Sequence, residues 1–170
     1  MLTKLIHIAL LFIAMSIGQA TAVSAVDKQI VGWVEIASIY PGNIKIKAKL
    51  DTGADHSSLN GKNIQYFRRE DESWVRFEFR NVEDRLQVFE AKVIRTTQIK
   101  RLGQDATRRP TIKLGICIGN THKEAEVNLA DRTGYNYQML IGRSFLKGLF
   151  LIDPEVSLVS RMDCNRIKGE

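Results

Sequence analysis

The sequence predicts an all-β domain that closes, or nearly closes, into a barrel with one short helix near the C-terminus. Apolar and polar residues alternate with a period of two along most of the chain, which is typical of half-buried strands. Turn signals separate these runs, and only Gly142 to Lys147 favours helical turns. Many short strands joined by regular turns are characteristic of barrels.

The N-terminal 25 residues differ from the rest of the chain. Lys4 precedes an apolar run from Leu5 to Ile17, and small residues follow as far as Ala25. This order is typical of a secretory signal peptide. The alternative is a retained membrane anchor, but the run is shorter than the ~20 apolar residues that a spanning helix needs. We therefore expect residues 1–25 to be removed and residues 26–170 to form one periplasmic or secreted domain, with no stable membrane insertion.

The first predicted hairpin leads directly to an acidic residue. Val31 to Ile39 is apolar and β-branched enough for a strand, and a turn follows at Tyr40-Pro41-Gly42-Asn43. From Ile44 to Leu50, apolar residues alternate with three lysines, which predicts a strand with one wet face. This strand ends at Asp51.

Further strands are predicted after Asn60, where the pattern first weakens. Trp74 to Arg80 and Leu86 to Ile99 flank a polar turn at residues 81–84 and form a second hairpin. Leu102 to Arg109 is polar and is predicted to be a loop. The remaining predicted strands are Thr111 to Ile118, Glu124 to Leu129, Gln138 to Ile141, and Leu149 to Ile152, which Pro154 ends.

Charge and cysteine content narrow the functional classes. The formal net charge is +6, but the basic residues are spread along the chain. A nucleic-acid binder usually shows a basic stripe with stacking aromatics, so we expect no nucleic-acid partner. Cys117 and Cys164 are the two cysteines of the sequence. An oxidising compartment permits a disulfide between them, and two unpaired thiols remain the alternative.

Two short motifs carry the chemistry. Leu50-Asp51-Thr52-Gly53-Ala54-Asp55 presents a carboxylate at a strand end, where Gly53 lets the backbone approach closely. Alone this motif is weak, because Asp and Gly are frequent in ordinary turns. About ninety residues later, Met139-Leu140-Ile141-Gly142-Arg143 runs from apolar residues into Gly-Arg and a short helix.

Together the two motifs resemble the retropepsin family of aspartic peptidases, over roughly Val31 to Asp153. With Leu129-Ala130-Asp131-Arg132, they look like a bacterial branch that is labelled ATP-dependent zinc protease and associated with RimK-type glutamate ligases. The resemblance implies a retropepsin-like closed barrel and a peptide or protein substrate. It also implies site roles: Asp51 is catalytic, Thr52, Gly53 and Ala54 support it, Asp55 and Arg143 form a partly buried structural pair, and Leu140, Ile141 and Gly142 form the second motif.

The family's chemistry requires two carboxylates that share a proton, one activating a water and the other polarising the scissile carbonyl. The sequence contains one Asp-Thr-Gly, so we expect a homodimer in which each chain contributes its Asp51. The expected activity is that of an exported aspartic endopeptidase. The alternative is a non-catalytic peptide-binding domain with the same fold.

No metal or cofactor is expected from the sequence. It has no His-Glu-x-x-His helix, and only His56 and His122 lie outside the predicted signal peptide. It also has no Gly-rich phosphate loop with its Lys. Residues 81–84 are a candidate lid, with residues 102–109 as the competing segment. Asp131 and Arg132 are assigned no chemistry.

Overall fold

The computed structural model describes residues 27–101 and 104–164, so the predicted signal peptide lies outside the described residues. This part of the chain contains eleven strands and one short helix. They are β1 Gln29–Gly32, β2 Val34–Tyr40, β3 Ile44–Leu50, β4 Ser57–Asn60, β5 Lys62–Arg69, β6 Glu72–Arg80, β7 Leu86–Arg101, β8 Gln104–Ile118, β9 Thr121–Ala130, β10 Met139–Ile141, α1 Arg143–Leu146 and β11 Phe150–Asp153.

Six strands form a closed barrel. They pair in the order β2, β3, β10, β4, β9 and β8, and β8 pairs back onto β2. The barrel is mixed, because β10 is parallel to β3 and β4 is parallel to β9, whereas the other pairs are antiparallel. The predicted fold class, an all-β closed barrel with one short helix near the C-terminus, is confirmed.

The barrel interior explains the alternation seen in the sequence. On β3, Ile46, Ala48 and Leu50 point inward and are buried, whereas Lys45 and Lys47 face solvent. Burial of such side chains is the main favourable term in folding, and truncating a fully buried leucine to alanine costs about 2–5 kcal/mol. Other fully buried core residues come from every strand of the barrel, for example Ile39, Leu59, Ile116, Leu129 and Met139.

A three-stranded extension continues the sheet beyond β8 through β7, β6 and β5. Its inner face is aromatic, with Phe77, Phe79 and Phe89 in mutual ring contact. The predicted hairpin around residues 81–84 is confirmed as the β6–β7 connection. Strand β5 was not predicted, because most of its residues are exposed and it therefore lacks an apolar period.

The predicted loop at residues 102–109 is wrong for the described residues 104–109, which begin β8. This stretch pairs with β7 in a long two-stranded ribbon. Thr107 and Arg108 are both exposed there. A ribbon with solvent on both faces is held by backbone hydrogen bonds, so its strands need no apolar alternation and are missed by pattern analysis.

The predicted strand from Val31 to Ile39 is interrupted at Trp33. Before the break, β1 pairs in parallel with β11 as a separate two-stranded sheet; after it, β2 enters the barrel. The Trp33 backbone accounts for the break. Its N–H donates to the Val156 carbonyl at 3.1 Å, and its carbonyl accepts from the Leu50 N–H at 2.8 Å.

Residues 156–164, called the C-terminal segment below, pack along the barrel. The Leu158 N–H donates to the Val34 carbonyl at 2.8 Å, and the Asp163 N–H donates to the Gly119 carbonyl at 2.9 Å. A disulfide between Cys117 and Cys164 fixes the far end of this segment to β8. Throughout residues 27–101 and 104–164, no helix has the length and apolar character needed to cross a bilayer.

Candidate functional site

Asp51 stands at the end of β3, where the chain leaves the barrel. Its backbone N–H donates to the Ile141 carbonyl at 2.8 Å. The Gly53 N–H donates to Oδ1 of Asp51 at 2.9 Å, and Lys49 Nζ lies 3.4 Å from Oδ2. The Asp51 side chain is 25% exposed and its lysine partner is 41% exposed, so solvent screens this ion pair. Oδ1 is therefore fixed by a backbone hydrogen bond, and the side chain remains accessible from solvent.

The second motif lies directly behind the first. Strand β10 runs parallel to β3 with Leu140 opposite Lys49 and Ile141 opposite Leu50. A Cβ on Gly142 would stand only 2.6 Å from the backbone carbon of His56, so no other residue fits this crossing. After Gly142, the Arg143 N–H donates to the Ala54 carbonyl at 2.9 Å. Backbone contacts thus fix the acid motif to the second motif.

Arg143 also ties down the Asp51 turn through its side chain. Nη1 donates to the Thr52 carbonyl at 2.9 Å, and Nη2 lies 3.3 Å from Oδ1 of Asp55. The Asp55 side chain is 70% exposed, so the expected partly buried pair lies on the surface instead. Exposed pairs of this kind contribute about 0–1 kcal/mol. His56 is also exposed, with Nε2 at 3.7 Å from Oδ2 of Asp55.

A cleft of about 490 Å³ opens over Asp51. Three cationic and two anionic side chains line it, together with aromatic residues. The lining residues are Trp33, Lys49, Asp51, Arg109, Ala130, Asp131, Arg132, Tyr135, Asn136, Tyr137 and Leu140. The structure therefore brings Asp131 and Arg132 to the same cleft as Asp51, although pattern analysis assigned them no chemistry. The sequence signal was the Leu129-Ala130-Asp131-Arg132 motif, in which the two charged residues directly follow an apolar strand.

Arg132 is held in the cleft by several side-chain contacts. Its Nε donates to the Tyr137 carbonyl at 3.1 Å and its Nη1 donates to Ser58 Oγ at 3.1 Å. The guanidinium also lies over the Tyr135 ring, 4.9 Å from the centroid. Burial is the main cause that lowers the pKa of Arg132, and the charge of Arg109 lowers the pKa further. Tyr135 and Asp51 raise the pKa, but by less than burial lowers it. Because a guanidinium starts from a very high pKa, it stays charged.

Asp131 is a second carboxylate in the cleft, but its environment keeps it ionised. Its Oδ1 accepts from the Thr133 hydroxyl at 2.5 Å and from the Thr133 N–H at 2.8 Å. These two hydrogen bonds hold the pKa of Asp131 below its ordinary value, the hydroxyl having the larger effect. A carboxyl of this kind is poorly suited to be the protonated member of a catalytic pair.

The two candidate lids lie in different places. The turn at residues 81–84 contacts the start of β3, because the Val82 N–H donates to the Lys45 carbonyl at 2.9 Å. Lys45 and Asp51 are six residue steps apart along the chain, which corresponds to about 20 Å in a strand. This turn therefore does not cover Asp51. Arg109, on β8 of the β7–β8 hairpin, does line the cleft.

A second groove, of about 620 Å³, lies on the other side of the Asp51 turn; we call it the β11 groove. Its polar lining includes Thr52, Asp55 and Arg143. Its apolar lining is formed by Leu146, Phe150, Leu151 and Ile152, and Lys28, Ser144, Lys147 and Gly148 complete the wall. Next to it, Ile30 and Leu151 face each other across β1 and β11. Ile30 is 65% exposed and Leu151 is 51% exposed, so an apolar surface adjoins the turn that carries Asp51.

Within residues 27–101 and 104–164, the donor set does not match the zinc label of the similar bacterial branch. Structural and catalytic zinc sites take at least three protein ligands from His, Cys, Asp or Glu. Among the described residues, no group of three such side chains is placed to hold a metal ion. Asp55 and His56 approach each other, but a third donor does not join them.

Comparisons with known proteins place the whole barrel in one family. Residues 30–162 match the family model described as "RimB-like: Retropepsin-like aspartic endopeptidase RimB". A crystal structure of a Legionella pneumophila protein of unknown function (DUF785) superimposes with a TM-score of 0.67 at 27% sequence identity. The match covers 79% of this chain and 100% of the Legionella protein.

Curated relatives are longer proteins. Shewanella pealeana and Shewanella halifaxensis each have a "Probable alpha-L-glutamate ligase" that is 35% and 36% identical over 115 residues, covering 66% of this chain and 25% of each relative. A protein of the same name from Desulfotalea psychrophila is 33% identical over 134 residues, covering 76% of this chain and 29% of that protein. The chain thus spans between a quarter and a third of the length of these relatives.

Proposed function

Since this chain belongs to the RimB-like family of retropepsin-like aspartic endopeptidases, we propose that it hydrolyses peptide bonds with Asp51 as its catalytic carboxylate. One observation carries the proposal. Asp51 stands at a strand end in an open cleft, with one carboxylate oxygen fixed by the Gly53 N–H and the side chain still accessible. Such a carboxylate is positioned in advance and can meet both a water molecule and a substrate.

The proposed reaction uses two copies of Asp51 that share one proton. The ionised copy takes a proton from water while the water oxygen attacks the carbonyl carbon of the scissile bond. The protonated copy donates its proton to the carbonyl oxygen as the tetrahedral intermediate forms. When the intermediate collapses, the C–N bond breaks and the leaving amine takes the proton of the protonated carboxyl. The other carboxylate takes a proton from a hydroxyl of the intermediate, so the pair returns to its singly protonated state. Because the two carboxyl groups share one proton, they titrate as a unit.

A homodimer is the proposed source of the second Asp51. Asp131 is the other carboxylate of the cleft, and its hydrogen bonds with Thr133 favour its ionised form. The β11 groove offers a surface for the partner, because it combines the Asp51 turn with the exposed apolar pair Ile30 and Leu151. In an isologous interface, this surface meets its own copy across a two-fold axis and brings the two turns together.

We further propose that the enzyme works outside the cytoplasm. The N-terminal sequence, with Lys4, its apolar run and small residues up to Ala25, supports export. The disulfide between Cys117 and Cys164 adds independent support, because disulfides persist in oxidising compartments and are rare in the cytosol.

The cleft favours an acidic peptide as substrate. Lys49, Arg109 and Arg132 all line it, and Arg132 is immobilised by Ser58 and Tyr137. A fixed guanidinium suits the planar geometry of a carboxylate. The names of the curated relatives, glutamate ligases, point to the same substrate chemistry. We therefore propose peptides rich in glutamate or aspartate as the preferred substrates.

The alternative function is a peptide-binding domain without catalysis, since the same cleft could hold a peptide in a monomer. To separate the two, the purified protein would be incubated with glutamate-rich and neutral peptide libraries, and the products read by mass spectrometry. Cleavage of the acidic library together with a dimeric mass in light scattering supports the peptidase. If the protein is a monomer that binds acidic peptides but does not cleave them, the result supports the alternative.

A further inference from the structure

Glu35 is a fully buried carboxylate that the proposed reaction does not use. It lies on β2, two residues after Trp33, and is 0% exposed. Burying a charged group is costly unless hydrogen bonds replace its water shell. Here Oε1 accepts from the Gly32 N–H at 2.7 Å and the Val159 N–H at 3.2 Å. Oε2 accepts from the Ser160 N–H at 3.2 Å and the Ser160 hydroxyl at 2.8 Å.

Most of these donors belong to the C-terminal segment, which adopts a strained conformation to supply them. Leu158 has a φ of +58°, in the left-handed region that bulky residues avoid. Its side chain is half exposed, so burial of the leucine does not offset the strain. The conformation instead turns the successive N–H groups of Val159 and Ser160 towards one carboxylate, an anion-binding arrangement of backbone amides.

The segment that Glu35 holds is connected to the catalytic strand through Trp33. The Trp33 N–H donates to the Val156 carbonyl, and the Trp33 carbonyl accepts from the Leu50 N–H, one residue before Asp51. The crossing is tight, because a Cβ on Gly32 would lie 2.5 Å from the Val156 carbonyl oxygen. The Trp33 ring also lines the cleft and meets the Tyr137 ring edge-on at 5.8 Å.

We propose that Glu35 is a positioning residue of the active site: by clamping the C-terminal segment it fixes the Trp33 wall of the cleft and the end of β3 that carries Asp51. This inference rests on the proposed function. The segment has a second anchor at its far end, the disulfide between Cys117 and Cys164. The disulfide lies further along the segment than the hydrogen bonds of Glu35. Each of the two anchors can therefore be removed without removing the other.

The test compares the two anchors in the full-length protein under conditions where each variant is folded by circular dichroism. Glu35→Gln keeps the size of the side chain, but its NH₂ group replaces one carboxylate oxygen. The N–H donors of that oxygen, either Gly32 and Val159 or Ser160, then lose their acceptor. We expect kcat on an acidic peptide to fall about tenfold, since misplacing a reacting group by a fraction of an ångström is enough to slow a reaction. The matched control, Cys117→Ala with Cys164→Ala, should lower Tm and leave kcat within about twofold.

Two outcomes would overturn the proposal: an unchanged kcat in folded Glu35→Gln, or an equal fall in kcat in the cysteine double variant. The second outcome would mean that general loosening of the segment, and not the clamp, governs the rate. If Glu35→Gln does not fold, Ser160→Ala removes one hydroxyl donor only. It should lower kcat about two- to threefold, and no change would count equally against the clamp.

A separate readout does not depend on catalysis. With Trp74→Phe as background, Trp33 is the tryptophan that remains in the chain. Glu35→Gln should then increase acrylamide quenching of Trp33, whereas the cysteine double variant should not. If wild type cleaves nothing but this difference is seen, the proposed function fails and the link from Glu35 to the cleft wall stands. If quenching is identical in the three proteins, the link itself fails.

Discussion

Asp51 and Arg132 line the same cleft, and each follows the end of a strand, but they are held in opposite ways. The Asp51 carboxylate takes its contacts from residues two positions away, Gly53 and Lys49. Arg132 adds to its nearby Tyr137 contact two contacts from a distant part of the chain: its guanidinium bonds Ser58, and its backbone N–H donates to Asn60 Oδ1 at 2.9 Å.

Under the proposed function, the difference separates a reacting group from a recognition group. A catalytic carboxylate must exchange protons and meet a water, so it benefits from accessibility and from few permanent partners. A group that selects a substrate gains when it is fixed before binding, because less conformational entropy is then lost. Asp51 has the accessibility that the proposed catalytic role needs, and Arg132 has the fixed position that the proposed recognition role needs. Four substitutions test this division, and they follow in order of decreasing effect.

Asp51→Asn should abolish peptide cleavage, with a fall in kcat of at least about a thousandfold, because an amide cannot serve as general base. The measurement is cleavage of an acidic peptide at saturating substrate. Asp131→Asn is the matched control in the same cleft and should retain activity within about tenfold, since Asn can still accept from Thr133. Loss of activity in Asp131→Asn and not in Asp51→Asn would reverse the assignment of the two carboxylates.

Leu151→Arg should break the homodimer, because it places a charge in the exposed apolar pair beside the β11 groove. We expect a monomeric mass in light scattering and at least a tenfold loss of specific activity at low protein concentration, partly restored on concentrating the sample. Val88→Arg is the control, since Val88 is exposed to the same degree on the β5–β7 extension. A monomeric wild type with full activity would contradict the need for a second Asp51.

Arg132→Gln should reduce kcat/KM for acidic peptides by about ten- to a hundredfold, the range expected for a lost hydrogen bond to a charged group. Cleavage of neutral peptides should change far less, and the selectivity of wild type should weaken as salt is added. Arg68→Gln, on the distant strand β5, removes the same charge and serves as control. Equal losses on acidic and neutral peptides would show that Arg132 supports the fold or the chemistry and not recognition.

Ser58→Ala gives the smallest effect. It removes one anchor of the guanidinium and leaves the Tyr137 carbonyl in place. One hydrogen bond of this kind contributes about 0.5–1.5 kcal/mol, so selectivity for acidic peptides should fall roughly two- to tenfold. Ser73→Ala, at an exposed position of β6, is the control. If Ser58→Ala reduced the selectivity for acidic peptides as much as Arg132→Gln, the position of the guanidinium would depend on this single contact.

Pattern analysis succeeded where one face of a strand is buried. Strand β3 has the predicted bounds, Ile44 to Leu50, because its apolar side chains enter the barrel and its lysines do not. It fails where strands lack a buried face: alternation does not predict β5, and it predicts a loop where β8 begins. The pairing of Cys117 with Cys164 also stayed open, since spacing alone does not bring two thiols together.

The sequence by itself determined the all-β barrel, the family and the position of Asp51, because alternation and a motif at a strand end are local properties of the chain. Only the tertiary structure decided what surrounds Asp51. Arg132 enters its cleft because β9 pairs with β4, and Trp33 enters it because Glu35 holds the C-terminal segment more than a hundred residues away. Contacts between residues far apart in the chain depend on the topology of the closed barrel, and no local pattern encodes them.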